Sequence, residues 1–358
     1  MKNKISKIKK KSKNQFEGKT ILVTGGTGSI GLEIVRQLLK HNPKVVRVFA
    51  RHEDRHHQAM HELGGLDNPK LRFVVGDIRD RDRLRMAMEG VNVVFHAAAL
   101  KHVPICEYNP FEAVKTNIIG TQNVIEMARE ANVEQVIGIS TDKAAEPEGV
   151  LGVSKLMAEK LFLATFFYKG DKSTKFSCVR FGNVLGSRGS ILPVIKKQIF
   201  DNKEITITDP EMTRFFMTIP QAVNLVLNSA THSLGQEIFV LKMPSVKIGD
   251  LVKAAIEYYA PLAGKKPSQV KIKHIGKRDG EKQHEKLLAS HEMGRVLDAG
   301  GMYILTPHEK IGGLKYLHAY PGAVKIKNDD KEFLSEHAIQ LTHSQLIDLV
   351  KEVDLHQA

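Results

Sequence analysis

An aspartate and a lysine stand side by side at Asp142 and Lys143, just after the apolar run 135–139. A carboxyl group and an amine can act as general acid and general base, and burial and mutual charge can tune their pKa values towards neutrality. A surface salt bridge is the ordinary alternative, but this pair ends a predicted buried strand. We therefore expect acid–base chemistry at the end of that strand.

A glycine-rich segment, 24–31, follows the first apolar run and opens a helical pattern. Gly25, Gly28 and Gly31 permit a tight turn, close approach of a pyrophosphate and close packing of the helix. The free amides at the positive end of the helix would then meet the phosphates. The expected contacts are Gly25, Thr27, Gly28, Ser29 and Ile30.

The ends of the next strands predict the rest of a dinucleotide site. Arg51 and Arg55 follow the second strand and suit a 2′-phosphate, so NADP is favoured, while Glu53 and Asp54 keep NAD open. A carboxylate after the third strand can accept from an adenine amino group, and small residues after the fourth let a cofactor lie flat. These residues are Asp77 and Ile78, then Ala97, Ala98 and Ala99.

Short apolar runs alternate with helical patterns from residue 18 to 184. The runs lie at 21–23, 45–49, 71–75, 91–95, 135–139 and 176–181, and helical patterns at 30–39, 110–131 and 149–168. Continuous apolar strands separated by helices predict a parallel sheet covered on both faces. We expect an α/β fold, a doubly wound Rossmann sheet with its ligand crevice at the carboxyl ends of the strands.

Three regions are expected along the chain. Residues 1–17 form a disordered basic tail, and 18–184 a Rossmann domain that binds NADP. Residues 185–358, with shorter elements and more glycine and proline, form mostly a smaller substrate-binding region, with some elements returning to the sheet. Within this region, 321–331 is expected to be a loop and 344–353 a final helix.

Composition limits the possible function classes. The formal net charge is +13, but the first fourteen residues hold seven lysines, and without them about +6 remains. Neither a signal peptide nor a membrane span is expected, and Cys106 and Cys178 do not have metal-site spacing, so no metal is expected. With 6% aromatic residues, nucleic-acid binding is not expected either. A cytoplasmic protein fits these properties.

Five segments carry a resemblance to a known family. They are Ala97–Pro104, Ser140–Ala145, Arg180–Ser190, Thr208–Phe215 and Gly276–Glu285, the last with Asp279 where proline is usual. On these segments the chain resembles an extended short-chain dehydrogenase/reductase. More narrowly, it resembles the soluble UDP-N-acetylglucosamine 4,6-dehydratases of bacterial sugar pathways, such as pseudaminic acid synthesis. The similarity runs from about residue 18 to 290.

The resemblance implies a dehydration with NADP. Hydride leaves C4 of the sugar, a base removes the acidified C5 proton, an acid helps the C6 hydroxyl leave, and the hydride returns. Asp142 and Lys143 would be the acid and base, Thr141 would bind the C4 oxygen, and Lys155 would hold the nicotinamide ribose. The residues implied for UDP-N-acetylglucosamine are Lys101, Asn183, Arg214, Arg278 and Glu281. A homo-oligomer, such as a hexamer, is also implied.

Leu151 stands four residues before Lys155, where these enzymes normally carry a catalytic tyrosine. Leucine has no proton to exchange, so either activity is lost or Lys155, Asp142 or a water takes the C4 proton. Related capsule enzymes carry methionine there and are still dehydratases, which favours the changed route. Two products stay open, a 4-keto-6-deoxy and a 5,6-ene UDP-sugar.

Other functions predict different outcomes. A UDP-sugar C4 epimerase shares most of the scaffold but needs no pair for water loss, so its product keeps the C6 hydroxyl. A protein that binds NADP or UDP-sugar without catalysis would not need Asp142 and Lys143. A protein that binds nucleic acid through the tail would lose salt-sensitive binding when residues 1–14 are deleted.

Overall fold

The computed structural model describes residues 14–168, 170–307, 316, 319–326 and 333–355. The strands are β1 Thr20–Thr24, β2 Val45–Ala50, β3 Leu71–Val75, β4 Val93–His96, β5 Gln135–Thr141, β6 Lys175–Phe181, β7 Asn183–Leu185, β8 Ile205–Ile207, β9 Thr213–Thr218, β10 Ile238–Leu241, β11 Ser245–Lys247, β12 Ile272–His274, β13 Val296–Asp298, β14 Met302–Leu305 and β15 Val324–Lys325. The α-helices are α1 Ser29–Leu39, α2 Glu53–Glu62, α3 Arg81–Met88, α4 Val103–Tyr108, α5 Pro110–Ala113, α6 Gly120–Glu130, α7 Val150–Ala164, α8 Ile191–Phe200, α9 Ile219–His232, α10 Ile248–Leu262 and α11 His343–Leu355.

Ten strands in the described part of the chain form one sheet, in the order β15-β13-β14-β10-β6-β5-β4-β1-β2-β3. The strands from β10 to β3 in this order are parallel, whereas β14 pairs antiparallel with β10. Strand order reverses between β1 and β4, and a ligand crevice opens at such a point. The α/β doubly wound fold expected from the sequence is confirmed.

Burial explains why the central strands form. Every residue of β1 is buried, and α1 packs on the sheet through Ile34, Val35 and Leu38. Strands buried on both faces need continuous apolar runs, which is the pattern that predicted them. β1, β4 and β5 end at Thr24, His96 and Thr141, so the segments that follow these strands meet at one edge of the sheet.

The predicted helix 110–131 is divided in the structure. α5 passes into a π-helix, Val114–Ile119, before α6 begins. Within the π-helix the amide of Asn117 donates to the Leu100 carbonyl and to the Ser154 hydroxyl. A widened turn of this kind is frequent at functional sites. Here it connects the segment after β4 to α7.

The second half of the chain has its own core. Apolar side chains of α8, α10 and α11 form it, among them Leu192, Ile195, Leu251, Leu346 and Val350. The expectation of shorter elements after residue 185 is wrong for α9 and α10, which have 14 and 15 residues. Strands β10, β13, β14 and β15 return to the main sheet, as expected.

Both ends of the chain differ in detail from the expectation. Phe16 is buried in the main core and Asn14 donates to the His41 carbonyl, so the expected tail 1–17 is ordered from residue 14, and 1–13 lie outside the described residues. Of the expected loop 321–331, Val324–Lys325 pairs with β13 and 327–331 are not described. Among the described helices, none has the length and apolar character needed to cross a membrane.

Candidate active site

The glycine-rich turn has the geometry of a phosphate cradle. Gly25 has a φ of +68°, and a Cβ there would lie 2.7 Å from the Ala98 nitrogen. A Cβ on Gly31 would lie 2.2 Å from the Gly25 carbonyl oxygen, so the turn, α1 and the segment after β4 approach as only glycine allows. α1 begins beyond Gly28 without a side-chain cap. Its first amides are therefore free for a phosphate.

The carboxylate expected to bind adenine already has partners in the protein. Arg79 donates through Nη2 to Asp77 Oδ2 at 2.7 Å, and its backbone amide donates to Oδ1 at 2.9 Å. Arg51 lies 3.7 Å from the same carboxylate. Burial opposes the charge on Asp77, but Arg79 and Arg51 outweigh it and lower the pKa. Sequence reasoning did not assign Arg79, which comes two residues after Asp77.

A group of positive side chains surrounds the mouth of the cradle. Lys101 donates to the Arg188 carbonyl at 2.8 Å, and the Arg188 amide donates to Ser29 Oγ at 3.1 Å. The Arg188 guanidinium also donates to the Thr27 carbonyl. Burial first, then Arg188 and Arg55, lower the pKa of Lys101. Such a concentration of positive charge attracts phosphate groups.

Arg188 belongs to a segment that carried the family resemblance but received no role from the sequence. It lies 161 residues after Thr27, and local patterns do not reveal so distant a contact. Its guanidinium connects the glycine-rich turn to the start of the second half of the chain. The signal that could have identified it is an arginine between Gly186-Ser187 and Gly189, in a segment whose only other charged residue is Arg180.

Asp142 and Lys143 form one cluster with Thr141 and Asn183. Thr141 Oγ1 donates to Asp142 Oδ1 at 2.9 Å, and Lys143 Nζ donates to the same oxygen at 3.1 Å. Lys143 Nζ also donates to Asn183 Oδ1 at 3.1 Å. Four residues that the sequence named separately therefore meet where β5 ends and β7 begins.

Two further residues complete this cluster, Arg214, which the resemblance implied for UDP-N-acetylglucosamine, and Glu285, which sequence reasoning left without a role. Glu285 Oε1 lies 3.0 Å from Lys143 Nζ and 3.8 Å from Arg214 Nε. The Arg214 guanidinium is buried and donates to the carbonyls of Lys282 and Gln283, at 2.7 and 3.0 Å. Arg214, expected to bind UDP, thus holds the segment that carries Glu285. Glu285 is the last residue of Gly276–Glu285, a segment that carries the family resemblance, and this is the sequence feature that could have identified it.

The surroundings raise the pKa values of both Asp142 and Lys143, which favours the uncharged form of Asp142 and the charged form of Lys143. Burial raises the pKa of Asp142, and Glu285 adds to this against the opposing effect of Lys143. Burial opposes the charge on Lys143, but Asp142 and Glu285 outweigh it and raise the pKa. The expectation that both groups move towards neutrality is correct in direction for Asp142 and wrong for Lys143. Two carboxyl groups beside one amine favour its charged form.

Lys155 lies on α7 and points to the edge of the sheet. Its Nζ donates to the Ile139 carbonyl at 2.5 Å. Burial lowers the pKa of Lys155, although Cys178 and Glu159 oppose the change. The hydroxyl oxygen of Ser140 is buried nearby without a hydrogen-bond partner in the structure. Lys155 is therefore a partly desolvated amine at the strand end where the nicotinamide was expected.

Leu151 packs in a small apolar cluster. It is 5% exposed and packs with Cys106 and Ala113. Beside it lies a cavity of about 10 Å³, room for about one water, whose lining includes Lys143, Lys282 and Glu285. Position 151 therefore lies next to the acid–base cluster, and its side chain closes the cavity without taking part in a proton transfer.

The segment 276–285 docks against the start of α7. Glu107 Oε1 accepts from the Val150 amide at 2.7 Å. A Cβ on Gly149 or Gly280 would lie 2.4 or 2.6 Å from the same oxygen, so both positions need glycine. Lys282 Nζ donates to the Ala145 carbonyl at 3.0 Å. These contacts place the segment's charged residues at the crevice.

The remaining expected substrate residues lie on this segment. Arg278 is exposed, with Nη1 3.9 Å from Glu281 Oε1. The other carboxylate oxygen of Glu281 is buried and has no hydrogen-bond partner in the structure. An arginine in solvent can donate hydrogen bonds to a ligand, and a carboxylate oxygen without a donor can accept one.

Comparisons with known proteins agree on one family. The profile of the polysaccharide biosynthesis protein family matches residues 21–307. An uncharacterised membrane protein of Methanocaldococcus jannaschii is 51% identical over 91% of this chain and 96% of its own. The inverting UDP-N-acetylglucosamine 4,6-dehydratase of Campylobacter jejuni is 42% identical over 83% of this chain and 85% of its own.

Two further matches extend this result. A UDP-glucose 4-epimerase of Rickettsia canadensis is 41% identical over 80% of this chain and 83% of its own. The X-ray structure of Pen from Bacillus thuringiensis superimposes with a TM-score of 0.88 at 39% identity, over 95% of this chain and 99% of that one. Dehydratases and epimerases therefore both occur among the similar proteins, and the site itself has to distinguish them.

Proposed function

We propose a dehydratase function for this chain, which belongs to the polysaccharide biosynthesis protein family, nucleotide-sugar enzymes of the extended short-chain dehydrogenase/reductase fold. The substrate is UDP-N-acetylglucosamine or a similar UDP-sugar, and the reaction removes water across C5 and C6. One observation carries the proposal: Asp142 and Lys143 lie in contact at the crevice, 3.1 Å apart, with Asp142 fully buried. Epimerisation at C4 has no step that needs this pair.

NADP fits the nucleotide site. The glycine turn and the free amides of α1 would hold the pyrophosphate, and the positive residues Arg51 and Arg55 the 2′-phosphate. Ala97, Ala98 and Ala99 would lie along the cofactor, with Ile78 near the adenine, and Lys155 would hold the nicotinamide ribose. When bound, the nicotinamide accepts and returns the hydride of C4. NAD remains the alternative.

The cluster around Lys143 supplies the acid and base of the elimination. Thr141 binds the C4 oxygen, so that the C4 ketone is held beside Asp142. Lys143, as the neutral amine, removes the C5 proton, and Asp142 donates its proton to the leaving C6 oxygen. The electron pair of the C5–H bond becomes the C5–C6 double bond, and water leaves. General acid and base groups contribute about 10²–10⁴-fold each to such a step.

The C4 hydroxyl proton needs an acceptor other than residue 151. Lys155 on α7 is the candidate, because its Nζ donates to the Ile139 carbonyl near the end of β5 and burial lowers its pKa. Asn183, Arg278, Glu281 and Lys101 are proposed to bind the UDP-sugar, with Arg214 supporting Glu285 from behind. A changed route for this proton leaves two products possible, the 4-keto-6-deoxy sugar and the 5,6-ene sugar, either of which would serve surface-glycan or pseudaminic acid synthesis.

Incubation with UDP-N-acetylglucosamine and NADP tests the proposal. Mass spectrometry should detect loss of one water, and NMR should then distinguish a C6 methyl doublet beside a C4 ketone from an alkene. Asp142→Asn should abolish water loss while hydride transfer from C4 persists. A product of unchanged mass but inverted C4 would establish the epimerase instead.

Two expectations about the whole protein belong to the same proposal. We expect a homo-oligomer, such as the hexamer that the resemblance implies, and a cytoplasmic location. Light scattering on the purified full-length chain measures the first, and cell fractionation the second. A monomer under assay conditions would remove the oligomer from the proposal without affecting the chemistry.

A further inference from the structure

Lys143 is bound by two buried carboxylates. Its Nζ lies 3.1 Å from Asp142 Oδ1 and 3.0 Å from Glu285 Oε1. Asp142 is 0% and Glu285 1% exposed. The second oxygen of each carboxylate, Asp142 Oδ2 and Glu285 Oε2, is buried without a hydrogen-bond donor in the structure. One ammonium therefore faces two acidic groups that are almost completely buried.

The two carboxylates are not equivalent. Glu285 has a second cation, Arg214, at 3.8 Å, and Lys282 adds positive charge on the same segment. Among the described residues, Asp142 has one ion-pair partner, the Lys143 ammonium that it shares with Glu285, and it accepts a hydrogen bond from the Thr141 hydroxyl. Its Oδ2 faces Gly182, where a Cβ would lie 3.1 Å away. An ionised carboxylate without sufficient compensation is costly in a buried site, so one member of such a pair holds a proton. The surroundings select Asp142.

We propose that Glu285 is a positioning residue for the elimination: it binds the Lys143 ammonium and carries the negative charge, so that Asp142 enters the reaction as an uncharged acid. The inference rests on the proposed function for its catalytic meaning, although the charge distribution itself belongs to the free protein. The directions of the pKa values agree, since burial raises that of Asp142, whereas Lys143 and Arg214 overcome burial and lower that of Glu285.

The proton balance of the step follows from this distribution. An N–H bond of Lys143 breaks and an O–H bond forms on Glu285 Oε1, which gives the neutral amine. Lys143 nitrogen then takes the C5 proton while the O–H bond of Asp142 breaks and its proton joins the leaving C6 oxygen. Glu285 ends protonated and Asp142 ionised, and transfer of one proton between them restores the starting state.

Infrared spectroscopy of the free protein tests the charge distribution directly. At neutral pH the wild type should have the C=O stretching band of a protonated, buried carboxyl group, and Asp142→Asn should remove it. Glu285→Gln keeps the size of the side chain but leaves the Lys143 ammonium to Asp142 alone, so the band should disappear. Glu285→Asp keeps the charge and should retain the band. A band that persists in folded Glu285→Gln, or is absent from the wild type, would overturn the proposal.

Activity supplies the second measurement. With Glu285→Gln the alkaline limb of the pH–rate profile for water loss, where Asp142 loses its proton, should move to lower pH by about one to three units, as expected from removal of one adjacent charge. Glu285→Asp should leave that limb in place even if its rate falls. If Glu285→Gln does not fold, two measurements still test the proposal. A shifted limb in the pH–rate profile of Glu285→Asp, or the absence of the carboxyl C=O band from the wild type, would contradict it. Wild type that removes no water would refute the proposed function alone and leave the band assignment intact.

Discussion

Leu151 lies next to the proposed acid–base cluster but has no group that can exchange a proton. It closes an apolar cluster with Cys106 and Ala113, yet the cavity beside it is lined by Lys143 and Glu285. Burial raises the pKa of the Cys106 thiol to about 11, and Glu107 adds to this effect, so the thiol stays uncharged at neutral pH. Under the proposed function, neither Leu151 nor the Cys106 thiol takes the C4 proton, and Leu151 encloses the cavity beside Lys143 and Glu285.

Replacing Leu151 by tyrosine and by phenylalanine separates these two aspects. Both rings overfill the cluster and should lower the free energy of unfolding by about 1–3 kcal/mol. Only Leu151→Tyr supplies a hydroxyl next to the cavity, so only this variant should change the pH–rate profile or the product. Urea denaturation and product NMR of both variants are the measurements. Identical rates, profiles and products would mean that position 151 is only packing.

Arg51 and Arg55 should set the preference between the two nicotinamide cofactors. Both are exposed, Arg51 directly after β2 and Arg55 in the first turn of α2, where a ribose 2′-phosphate would lie under the proposed function. Changing both to alanine should weaken NADP binding about tenfold or more, since a hydrogen bond to a charged group contributes about 1.5–3 kcal/mol. NAD serves as the matched ligand, and its Kd should hardly change. Equal losses for both cofactors in titration calorimetry would contradict the assignment.

At the scale of elements, the start of α7 is fixed by a contact from another helix. Glu107, at the end of α4, accepts from the Val150 amide and occupies the space between Gly149 and Gly280. A carboxylate at this end also interacts favourably with the helix dipole. One side chain thus positions both the helix that carries Leu151 and Lys155 and the segment that carries Glu285.

Glu107→Ala should lower the free energy of unfolding by about 0.5–2 kcal/mol, as loss of a helix N-cap does. Glu107→Gln keeps the accepting oxygen and should cost less. Gly280→Ala should be destabilising in the wild type, where its Cβ meets Glu107 at 2.6 Å, and less so in the Glu107→Ala background. Thermal unfolding of the four variants measures the coupling, and strictly additive effects would contradict it.

Local patterns in the sequence predict most of the parallel sheet, because apolar runs such as 71–75 coincide with strands such as β3. They also place Asp142 and Lys143 correctly, since residues that end adjacent parallel strands share one edge. They do not predict the π-helix at 114–119, which forms because Asn117 binds Leu100 and Ser154. Nor do they pair Glu285 with Lys143, since the two residues are 142 positions apart and periodicity carries no information about such contacts.

At the scale of the whole molecule, a buried ion network joins the two halves. Arg180 on β6 is 0% exposed and donates to Glu159 on α7 at 2.7 Å and to Glu292 at 2.8 Å. Glu292 lies on the 3₁₀ segment Ser290–Arg295. Burial opposes the charge on Glu292, but Arg180 outweighs it and lowers the pKa. The Arg180 guanidinium therefore connects β6 of the main sheet to α7 and to the 3₁₀ segment Ser290–Arg295.

Arg180→Met should lower the free energy of unfolding by about 3–5 kcal/mol, because two buried carboxylates lose their partner. Glu292→Gln is the matched variant, and it should cost less since Arg180 keeps Glu159. A pKa lowered by folding stabilises the protein above the ordinary glutamate range near 4.3, and this stabilisation is lost as pH falls through the folded value. Acid unfolding followed by circular dichroism should therefore depend less on pH in Glu292→Gln. An equal pH dependence in both proteins would contradict this role.

The contact between Arg188 and Thr27 has a consequence for the catalytic cycle. A guanidinium that lies across the glycine-rich turn would hinder a dinucleotide from entering or leaving between turnovers. Most dehydrogenases exchange their cofactor after every reaction and could not tolerate this. The proposed dehydration returns the hydride it removes, so one bound cofactor serves many substrate molecules. Under that reaction, slow cofactor release carries no penalty in rate and prevents the loss of a reduced cofactor while the sugar is still oxidised.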